Sequence, residues 1–371
     1  MKKYISMLLS IIMILTLAGC AGAATTAATT AATTAATTAA TTAATTKATT
    51  AATTAATTAA TTAATTTSFP KMSIKLGHTL EPSHHDHTAA LYFADLVSKK
   101  TNGQVTIVVY PAAQLGSEKD LNDAMVLGTL ELSIMGIGEA ANRDPALSIF
   151  DSAYVFRDRD HLINVFKSDV FAEMCEEAAK TGVRPLAGIY YGTRHLTTSK
   201  KEVRTIADMA GLKIRCPDQP VFVDVVKALG AQPAPMAFSE VYLALQQGVV
   251  DGQENPAAAI HAMKFYEVQK YLTKTGHIIN ADFIIISEKF NQSISAELRK
   301  VLADAAVETT DYINPIAKKI EDDMFAVLEK EGMTIIEPEL AAFVEAGKKT
   351  HADKMVSWGG QARFDEIQAV K

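Results

Sequence analysis

After residue 68, short apolar stretches of two kinds follow one another along the chain. Stretches rich in β-branched residues with a period of two predict strands, whereas apolar residues three and four positions apart predict helices. In the first half the predicted strands are 73–76, 104–110, 132–135 and 184–191, and the predicted helices are 118–127, 160–179 and one from an N-cap at Ser83 to about residue 100. This alternation predicts an open α/β sheet with right-handed crossovers, whose ligands bind beyond the carboxyl ends of the strands.

The same pattern starts again after Tyr191. The predicted strands are 196–198, 213–215 and 278–286, and the predicted helices are 219–229, 239–247 (capped by Ser239), 256–266 and 296–331, the last with a break near Pro315. The strand 278–286 is long enough to cross between two lobes. We therefore expect two α/β lobes joined by crossing strands, an architecture that closes on a ligand by a hinge motion.

Residues 1–20 have the features of a lipoprotein signal peptide. Lys2 and Lys3 precede an apolar run that is too short to span a bilayer, and Leu17-Ala-Gly-Cys20 resembles a lipobox. We expect the signal to be removed and a lipid to be attached to Cys20, which would anchor the protein outside the cell without a membrane-spanning helix. The alternative is an ordinary secretory signal.

A low-complexity segment follows, built from eleven Ala-Ala-Thr-Thr units of which one begins with Lys47. It lacks large apolar side chains, so it cannot bury enough surface to offset the entropy of ordering. Paired threonines also oppose the helix that alanine favours. We predict that residues 21–67 form a disordered tether; a helical stalk is the alternative.

Charge and motif content exclude several classes of function. The net charge is −6, and it becomes more negative when Lys2 and Lys3 are removed, which argues against a nucleic-acid partner. The chain has no Gly-x-Ser-x-Gly elbow, His-Glu-x-x-His motif, phosphate loop or dinucleotide fingerprint. We expect neither an enzyme nor a cofactor, and no disulfide between Cys175 and Cys216.

Two arginines are candidates for binding an anion. Arg215 ends a short predicted strand that Pro217 stops, and a guanidinium at such a strand end can meet a carboxylate with two parallel hydrogen bonds. Arg194 lies at the junction of the two halves. For both residues the alternative is a structural salt bridge.

Other polar and aromatic residues are less specific candidates. Phe238 could stack on a ligand or belong to the core, and Asn255 could point its amide into a cleft or cap a helix, because it precedes Pro256. The run His84-His85-Asp86-His87 suggests a metal, but neighbours at a helix start are not expected to converge on one ion. We predict no metal site and place this run at the polar edge of the cleft.

Several motifs together identify a family. Residues 72–366 resemble the substrate-binding proteins of tripartite ATP-independent periplasmic (TRAP) transporters. The motifs are Gln114-Leu-Gly116, Gly192-Thr-Arg-His-Leu-Thr-Thr-Ser199, Ile206-Ala-Asp-Met-Ala-Gly-Leu-Lys-Ile-Arg215, Pro235-Met-Ala-Phe-Ser-Glu-Val-Tyr-Leu-Ala-Leu245, Val250-Asp-Gly-Gln-Glu-Asn-Pro256 and Lys264-Phe-Tyr-Glu-Val-Gln-Lys270. The resemblance implies a periplasmic-binding-protein-like fold with a hinge and a long helix spanning both lobes. It places lobe I at 68–192 plus about 281–320 and lobe II at 193–280 plus about 321–371.

The resemblance also implies roles for individual residues. Arg215 would bind a ligand carboxylate bidentately, with Arg194 as a second cationic contact and Asn255 as a polar contact to the same end. Phe238 would form an apolar wall, and Glu118 would reach ligand hydroxyls. The protein would deliver its ligand to a two-subunit TRAP permease in the membrane.

Departures from the family bear on the substrate. Sialic-acid binders carry an acidic residue where this chain has Gly136 and an asparagine where it has Asp218, so sialic acid is not expected. Acceptors at Glu118 and Asp218 favour a smaller sugar acid such as a uronate or aldonate. A C4-dicarboxylate or keto acid is the alternative, and a dicarboxylate would need a second cation at Arg194 or a protonated histidine near His84.

Two other classes of function stay open at this point. An enzyme acting on an acidic sugar would need a general base, for which Glu118, Asp218 and His195 are the candidates. A ligand-binding sensor module would share every feature of a transport protein, and the sequence does not separate the two.

Overall fold

The computed structural model describes residues 68–371; the predicted signal peptide with Cys20 and the predicted tether 21–67 lie outside the described residues. The strands are β1 Met72–Gly77, β2 Val105–Tyr110, β3 Leu132–Met135, β4 Val183–Thr198, β5 Lys213–Cys216, β6 Gln232–Pro235, β7 Gly252–Pro256, β8 Tyr271–Ser287 and β9 Thr334–Ile336. The helices are α1 His85–Lys100, α2 Glu118–Leu127, α3 Gly138–Ala141, α4 Arg159–Val165, α5 Asp169–Ala179, α6 Pro220–Ala228, α7 Val241–Gln246, α8 Ala257–Ala262, α9 Glu288–Ser293, α10 Ala296–Lys330, α11 Leu340–Lys354 and α12 Gly360–Ala369. Short 3-10 helices lie at Pro145–Asp151, Ile206–Met209, Phe238–Glu240 and Phe265–Glu267.

All nine strands belong to one mixed sheet in the order β2-β1-β3-β8-β4-β7-β5-β6, with β9 paired to β8. The outer strands pair in parallel, as the alternating pattern predicts. The pairs β3–β8, β4–β8 and β4–β7 are antiparallel. The long strands β4 and β8 therefore run side by side through the centre of the sheet and carry the chain from one group of parallel strands to the other.

Strand β4 is one element where the sequence pattern predicts two, 184–191 and 196–198. Its register against β8 shifts three times, between Pro185 and Ala187, between Tyr190 and Gly192, and between Arg194 and Leu196. Bulges of this kind bend a strand and re-aim its side chains without ending it. Asn314 of α10 holds the backbone just before the second shift, since its Oδ1 accepts from the Tyr190 N–H at 2.9 Å and its Nδ2 donates to the Gly188 carbonyl at 3.3 Å.

Five apolar clusters of buried residues lie in the described part of the chain. Two flank the strands near β1, β3 and the second half of β8, two flank β5, β6 and the neighbouring helices, and a small one joins Leu80, Tyr191 and Ala259. Helix α10 contributes to both groups, through Leu302 and Ile313 in one and Leu328 in another. No helix in residues 68–371 is long and apolar enough to cross a membrane.

Several helix ends differ from the predictions. The region 160–179 forms two helices, because Ser168 caps α5 by accepting from the Phe171 N–H. The N-cap of α1 is His84 rather than Ser83, and Ser239 caps no helix by its side chain. Helix α10 continues through Pro315, where a break was expected. The buried face on either side of Pro315 stabilises the helix enough to offset one missing hydrogen bond.

Candidate functional site

A cavity of about 720 Å³, including its mouth, opens at the carboxyl ends of the parallel strands, where the α/β pattern predicts a ligand. Its walls come from the segments after β1, β3, β5 and β6 and from the central parts of β4 and β8. The lining residues are Thr79, Leu80, Ser117, Glu118, Lys119, Gly136, Gly138, Glu139, Asp151, Tyr191, Arg194, Arg215, Pro217, Asp218, Gln219, Phe222, Met236, Ala237, Phe238, Asn255, Asn280 and Asp282. Six of the seven residues proposed from sequence are among them; His84 is not.

Arg215 is a buried cation that forms no ion pair with any residue from 68 to 371. It is 2 % exposed, and its Nε and Nη2 donate to the Met236 carbonyl at 3.3 and 2.9 Å. Its Nη1 is buried and has no hydrogen-bond partner in the described part of the chain. Burial lowers the pKa of Arg215 to about 10. A buried guanidinium with an open N–H group is a receptor for an anion.

Phe238 borders Arg215, with its ring centroid 5.5 Å from the guanidinium carbon. The ring is half-buried and packs edge-on against Phe265 at 6.0 Å. It therefore belongs both to the cavity wall and to the margin of the core, the two interpretations that the sequence leaves open.

Arg194 also lines the cavity, but its charge is already paired. Its Nε and Nη2 donate to the two carboxylate oxygens of Glu254 at 2.5 and 2.8 Å, and its Nη1 donates to Asn280 at 3.0 Å. A further bond runs to the Glu254 carbonyl. These contacts leave one of the five guanidinium N–H groups for another partner. The alternative of a structural salt bridge therefore describes Arg194 better than a free second cation.

Glu254 is the centre of this buried ion pair. It is 2 % exposed and also contacts His277 Nε2 at 3.1 Å. Burial alone would raise the pKa of Glu254, but the charge of Arg194 and the hydrogen bonds lower it to about 2. The charge of the pair is thus neutralised within the protein.

Asn255 lies in β7, a strand that the sequence pattern does not predict, two residues before α8 begins. Its Nδ2 donates to Gln253 Oε1 at 2.6 Å, and its Oδ1 accepts from the Tyr191 hydroxyl at 3.4 Å. The side chain is buried in the cavity wall and held at both ends. It can still offer a second N–H to a ligand near Arg215.

The opposite wall is acidic. Glu118 begins α2, Asp218 follows β5, and Asp151 and Asp282 join them from residues that sequence reasoning missed. Burial raises the pKa of Glu118 to about 8 and that of Asp151 to about 7, and Asp282 is also raised. These carboxyls are hydrogen-bonding partners for hydroxyl groups. Neither Asp151 nor Asp282 stands in a motif, so no local signal marks them.

The histidine run at the start of α1 lies behind this wall. His84 is buried, with its ring centroid 5.3 Å from that of Tyr191 and the two rings tilted, and burial holds its pKa well below the usual value. A neutral His84 outside the cavity lining is not the second cation that a dicarboxylate would need. Contrary to expectation, ligand atoms of His84, His85 and Asp86 do converge within 4.8 Å. The two nitrogens that approach the Asp86 carboxylate, however, already have backbone partners. His84 Nδ1 accepts from the Asp86 N–H, and His85 Nε2 bonds to the Tyr190 carbonyl.

The buried ionisable groups predict how stability depends on pH. From about pH 4 to 7, buried histidines with lowered pKa and acids with raised pKa act in opposite directions. Above about pH 7.5 the histidines are nearly all neutral in the unfolded chain as well, since their ordinary pKa is 6.5, whereas Glu118, with its pKa raised to about 8, still keeps a proton that the unfolded chain has lost. The free energy of unfolding should therefore fall as pH rises through 8, by roughly 1.4 kcal/mol per pH unit for each proton fully retained.

Urea unfolding of the ligand-free protein at several pH values measures this dependence. In Glu118→Gln the slope above pH 7.5 should become shallower, because the proton retained by Glu118 is removed. A stability that rises between pH 7.5 and 8.5 would contradict the assignment of Glu118 as protonated in the fold.

Comparisons with known proteins identify the family of the chain. Residues 76–357 match the family model DctP, bacterial extracellular solute-binding protein, family 7. A solute-binding protein of Roseobacter denitrificans is 36% identical over 279 residues, which are 75% of this chain and 85% of that protein. Its structure with bound L-galactonate aligns with a TM-score of 0.75 and 32% identity, covering 82% of this chain and 99% of that one.

Two further relatives extend the range of ligands. The sialic acid-binding periplasmic protein SiaP of Vibrio cholerae is 35% identical over 275 residues, covering 74% of this chain and 85% of that protein. A TRAP periplasmic solute-binding protein from Polaromonas with bound D-erythronate aligns with a TM-score of 0.78 and 33% identity, covering 81% of this chain and 99% of that one. The family predicted from sequence motifs is confirmed, and so is the two-lobe α/β fold. The chain belongs to the DctP family, the extracytoplasmic solute-binding proteins of TRAP transporters.

Proposed function

We propose that this protein captures a hydroxylated monocarboxylate of the sugar-acid class, closes on it, and delivers it to a two-subunit TRAP permease in the membrane. The observation that carries the proposal is the buried, unpartnered Nη1 of Arg215 in a cavity whose opposite wall is acidic. The ligand carboxylate meets Arg215 with charge-assisted bonds, beside Asn255 and Phe238. The lobes move about β4 and β8, and a lipid on Cys20 keeps the protein near its permease.

The acidic wall favours hydroxyl groups at the far end of the ligand. Glu118, Asp151, Asp218 and Asp282 all line the cavity and can accept from hydroxyls. A second carboxylate would meet these groups without a matching cation. Arg194 is paired to Glu254, and Lys119, the remaining lysine or arginine that lines the cavity, is paired to Asp123 with 61% of its side chain exposed. This charge arrangement supports a sugar acid over a C4-dicarboxylate.

Relatives support the same class of ligand. L-galactonate and D-erythronate, bound in the two aligned structures, are both monocarboxylates that carry several hydroxyls. The conserved fold and the arrangement of charge in this cavity make such molecules suitable first probes. Sialic acid is also a hydroxylated monocarboxylate, but it is larger. This cavity also has Gly136 where sialic-acid binders carry an acidic residue, and Asp218 where they carry an asparagine.

A thermal-shift screen tests the proposal. The purified protein is incubated with L-galactonate, D-erythronate, a uronate, succinate and sialic acid, with galactitol as a matched polyol that lacks the carboxylate. A ligand present at a hundred times its dissociation constant should stabilise the fold by about 2.7 kcal/mol. We expect shifts from sugar acids and none from galactitol. A shift from succinate alone would overturn the sugar-acid assignment, and an equal shift from galactitol would overturn the carboxylate clamp.

A further inference from the structure

A buried hydrogen bond at the edge of the cavity joins the segment after β3 to the segment after β5. Gln219 Nε2 donates to Glu139 Oε1 at 2.8 Å, and both side chains are buried and line the cavity. The same nitrogen lies 3.2 Å from Asp218 Oδ1. An amide nitrogen has two protons, so both are used on carboxyl groups. The other oxygen of Glu139 accepts from Asn142 Nδ2 at 3.3 Å, which holds this carboxyl from its own side.

The sheet topology shows that this bond connects distant parts of the fold. Met135, the last residue of β3, lies opposite Gly188 of β4 across β8, whereas Arg215 of β5 lies opposite Thr197 of β4 across β7. Strand β3 is antiparallel to β8 and β5 is parallel to β7. The two strands therefore run towards each other along β4, from opposite ends of the stretch 188–197. The Gln219–Glu139 contact, called the interlobe bond below, closes the gap between them.

The side chain of Gln219 is not used to start its own helix. Gln219 is the N-cap of α6, but its side chain makes no capping hydrogen bond. Gly138 leaves the space that this side chain occupies, since an added Cβ at position 138 would lie 3.0 Å from Gln219 Cγ. The φ angle of Gly138 is not positive, so the glycine serves this close approach rather than an unusual backbone. A larger residue at 138 would push Gln219 away from Glu139.

The interlobe bond also separates two cavities. Gly138 and Gln219 line the ligand cavity, and they line a second depression of about 550 Å³ on their other side. Pro145, Ser148 and Lys354 are among the other residues around this second depression. Moving Gln219 away from Gly138 and Glu139 would join the two spaces. The bond therefore lies across a path between the ligand cavity and a groove beside it.

We propose that the interlobe bond fastens the two lobes over a bound ligand and thereby limits the rate at which the ligand leaves. This inference rests on the proposed function for its ligand. Opening the lobes breaks a buried hydrogen bond and leaves Glu139 and Asp218 without the donor that they share. Gln219 and Glu139 are positioning residues, because they act on the ligand by holding the lobes together.

Replacing Gln219 by alanine should speed release of the ligand by about tenfold, because a buried bond to a charged group is lost. Association should change little, since the ligand enters before the bond forms. Release of radiolabelled L-galactonate into excess unlabelled ligand measures the off-rate, and calorimetry measures the affinity. Gln246→Ala is the control, because Gln246 is exposed on α7 and does not line the cavity. An unchanged off-rate in a folded Gln219→Ala protein would overturn the proposal.

Exchanging the two groups separates this role from a general loss of structure. Glu139→Gln keeps an oxygen that accepts from Gln219, so its off-rate should stay near that of the wild type, whereas Glu139→Ala should release ligand faster. Gln219→Glu places two carboxyls together and should also speed release. The double variant Glu139→Gln/Gln219→Glu restores an amide facing a carboxylate and should slow release again. A double variant that releases ligand as fast as Gln219→Glu would contradict the interlobe bond.

Cysteine cross-linking tests the contact itself. In Gly138→Cys/Gln219→Cys the two side chains are close enough for a disulfide when the lobes are closed. Cys216→Ala is added, because the free Cys216 lies three residues from position 219. Mass spectrometry of peptides identifies the 138–219 disulfide after mild oxidation.

We expect this disulfide to form, and to form faster with L-galactonate than with galactitol, which lacks the carboxylate. Its absence under both conditions would show that the two segments do not meet and would overturn the proposal. If L-galactonate does not bind to the wild type, the choice of ligand fails. Cross-linking without ligand then still decides whether the interlobe contact exists.

Discussion

Replacing Arg215 by alanine should weaken binding of a sugar acid by about a hundredfold or more, because two charge-assisted bonds of about 1.5–3 kcal/mol each are lost. The guanidinium is buried and its Nη1 has no partner within residues 68–371, so a ligand carboxylate gains bonds that water at the surface does not replace. Isothermal titration calorimetry with the best ligand from the screen measures the change.

Two control variants make this result specific. Lys213 lies two residues earlier on the same strand and is exposed, so Lys213→Ala should leave affinity nearly unchanged. Arg215→Lys keeps a charge but loses the planar fork, and we expect an affinity between those of the wild type and Arg215→Ala. Near-native affinity in a folded Arg215→Ala protein would contradict the clamp. The remaining N–H of Arg194 would then be the candidate contact for the ligand carboxylate.

Replacing Glu254 by alanine should lower the free energy of unfolding by about 3–5 kcal/mol, which is the usual effect of breaking a buried ion pair from one side. Arg194 would stay buried, 3 % exposed, without its bidentate partner, and His277 would lose its contact at 3.1 Å. Urea unfolding of the ligand-free protein measures this loss. The variant Arg194→Met/Glu254→Leu should recover much of it, because neither charge is then left alone.

An exposed ion pair provides the comparison. Lys319 and Asp323 form a surface pair on α10 with side chains 77% and 63% exposed, and Asp323→Ala should change stability by less than about 1 kcal/mol. Since the pKa of Glu254 is lowered to about 2, the contribution of the buried pair is present above pH 4.5 and is lost as pH falls towards 2. A Glu254→Ala protein as stable as the wild type would show that Arg194 finds another anion, for which Asp151 in the cavity wall is a candidate.

Local sequence signals predicted the elements with strong patterns. The bounds of α2 and β3 agree with the structure residue for residue, since α2 has a capping box at Ser117 and an αL glycine after its end. Arg215 could be found because a strand that ends beside Pro217 places its last side chains at the ligand-binding edge of an α/β sheet. The motifs shared with the family then predicted the fold and the class of function.

Long-range contacts account for what the sequence did not predict. Nothing near Arg194 indicates that Glu254, sixty residues later, neutralises its charge. Asp282 lies within an apolar strand, and only the assembled fold shows that its carboxyl lines the cavity. Strand β7 is short and polar, and it becomes a strand because β4 and β5 bind it on both sides. Helix α10 likewise continues through Pro315, because packing against the rest of the fold outweighs the local preference of proline.

The pairing of β4 with β8 also bears on how quickly the chain can fold. Val183 pairs with Ser287 and Thr198 with Tyr271, so every bond of this central ladder joins residues separated by at least 73 positions. Chains dominated by such non-local contacts fold slowly, because loop-closure entropy is lost before the contacts form. Members of an extracytoplasmic family must cross a membrane before they work. If β4 and β8 pair late, the chain stays unfolded until its last strands are available. An unfolded chain can still pass through a secretion channel.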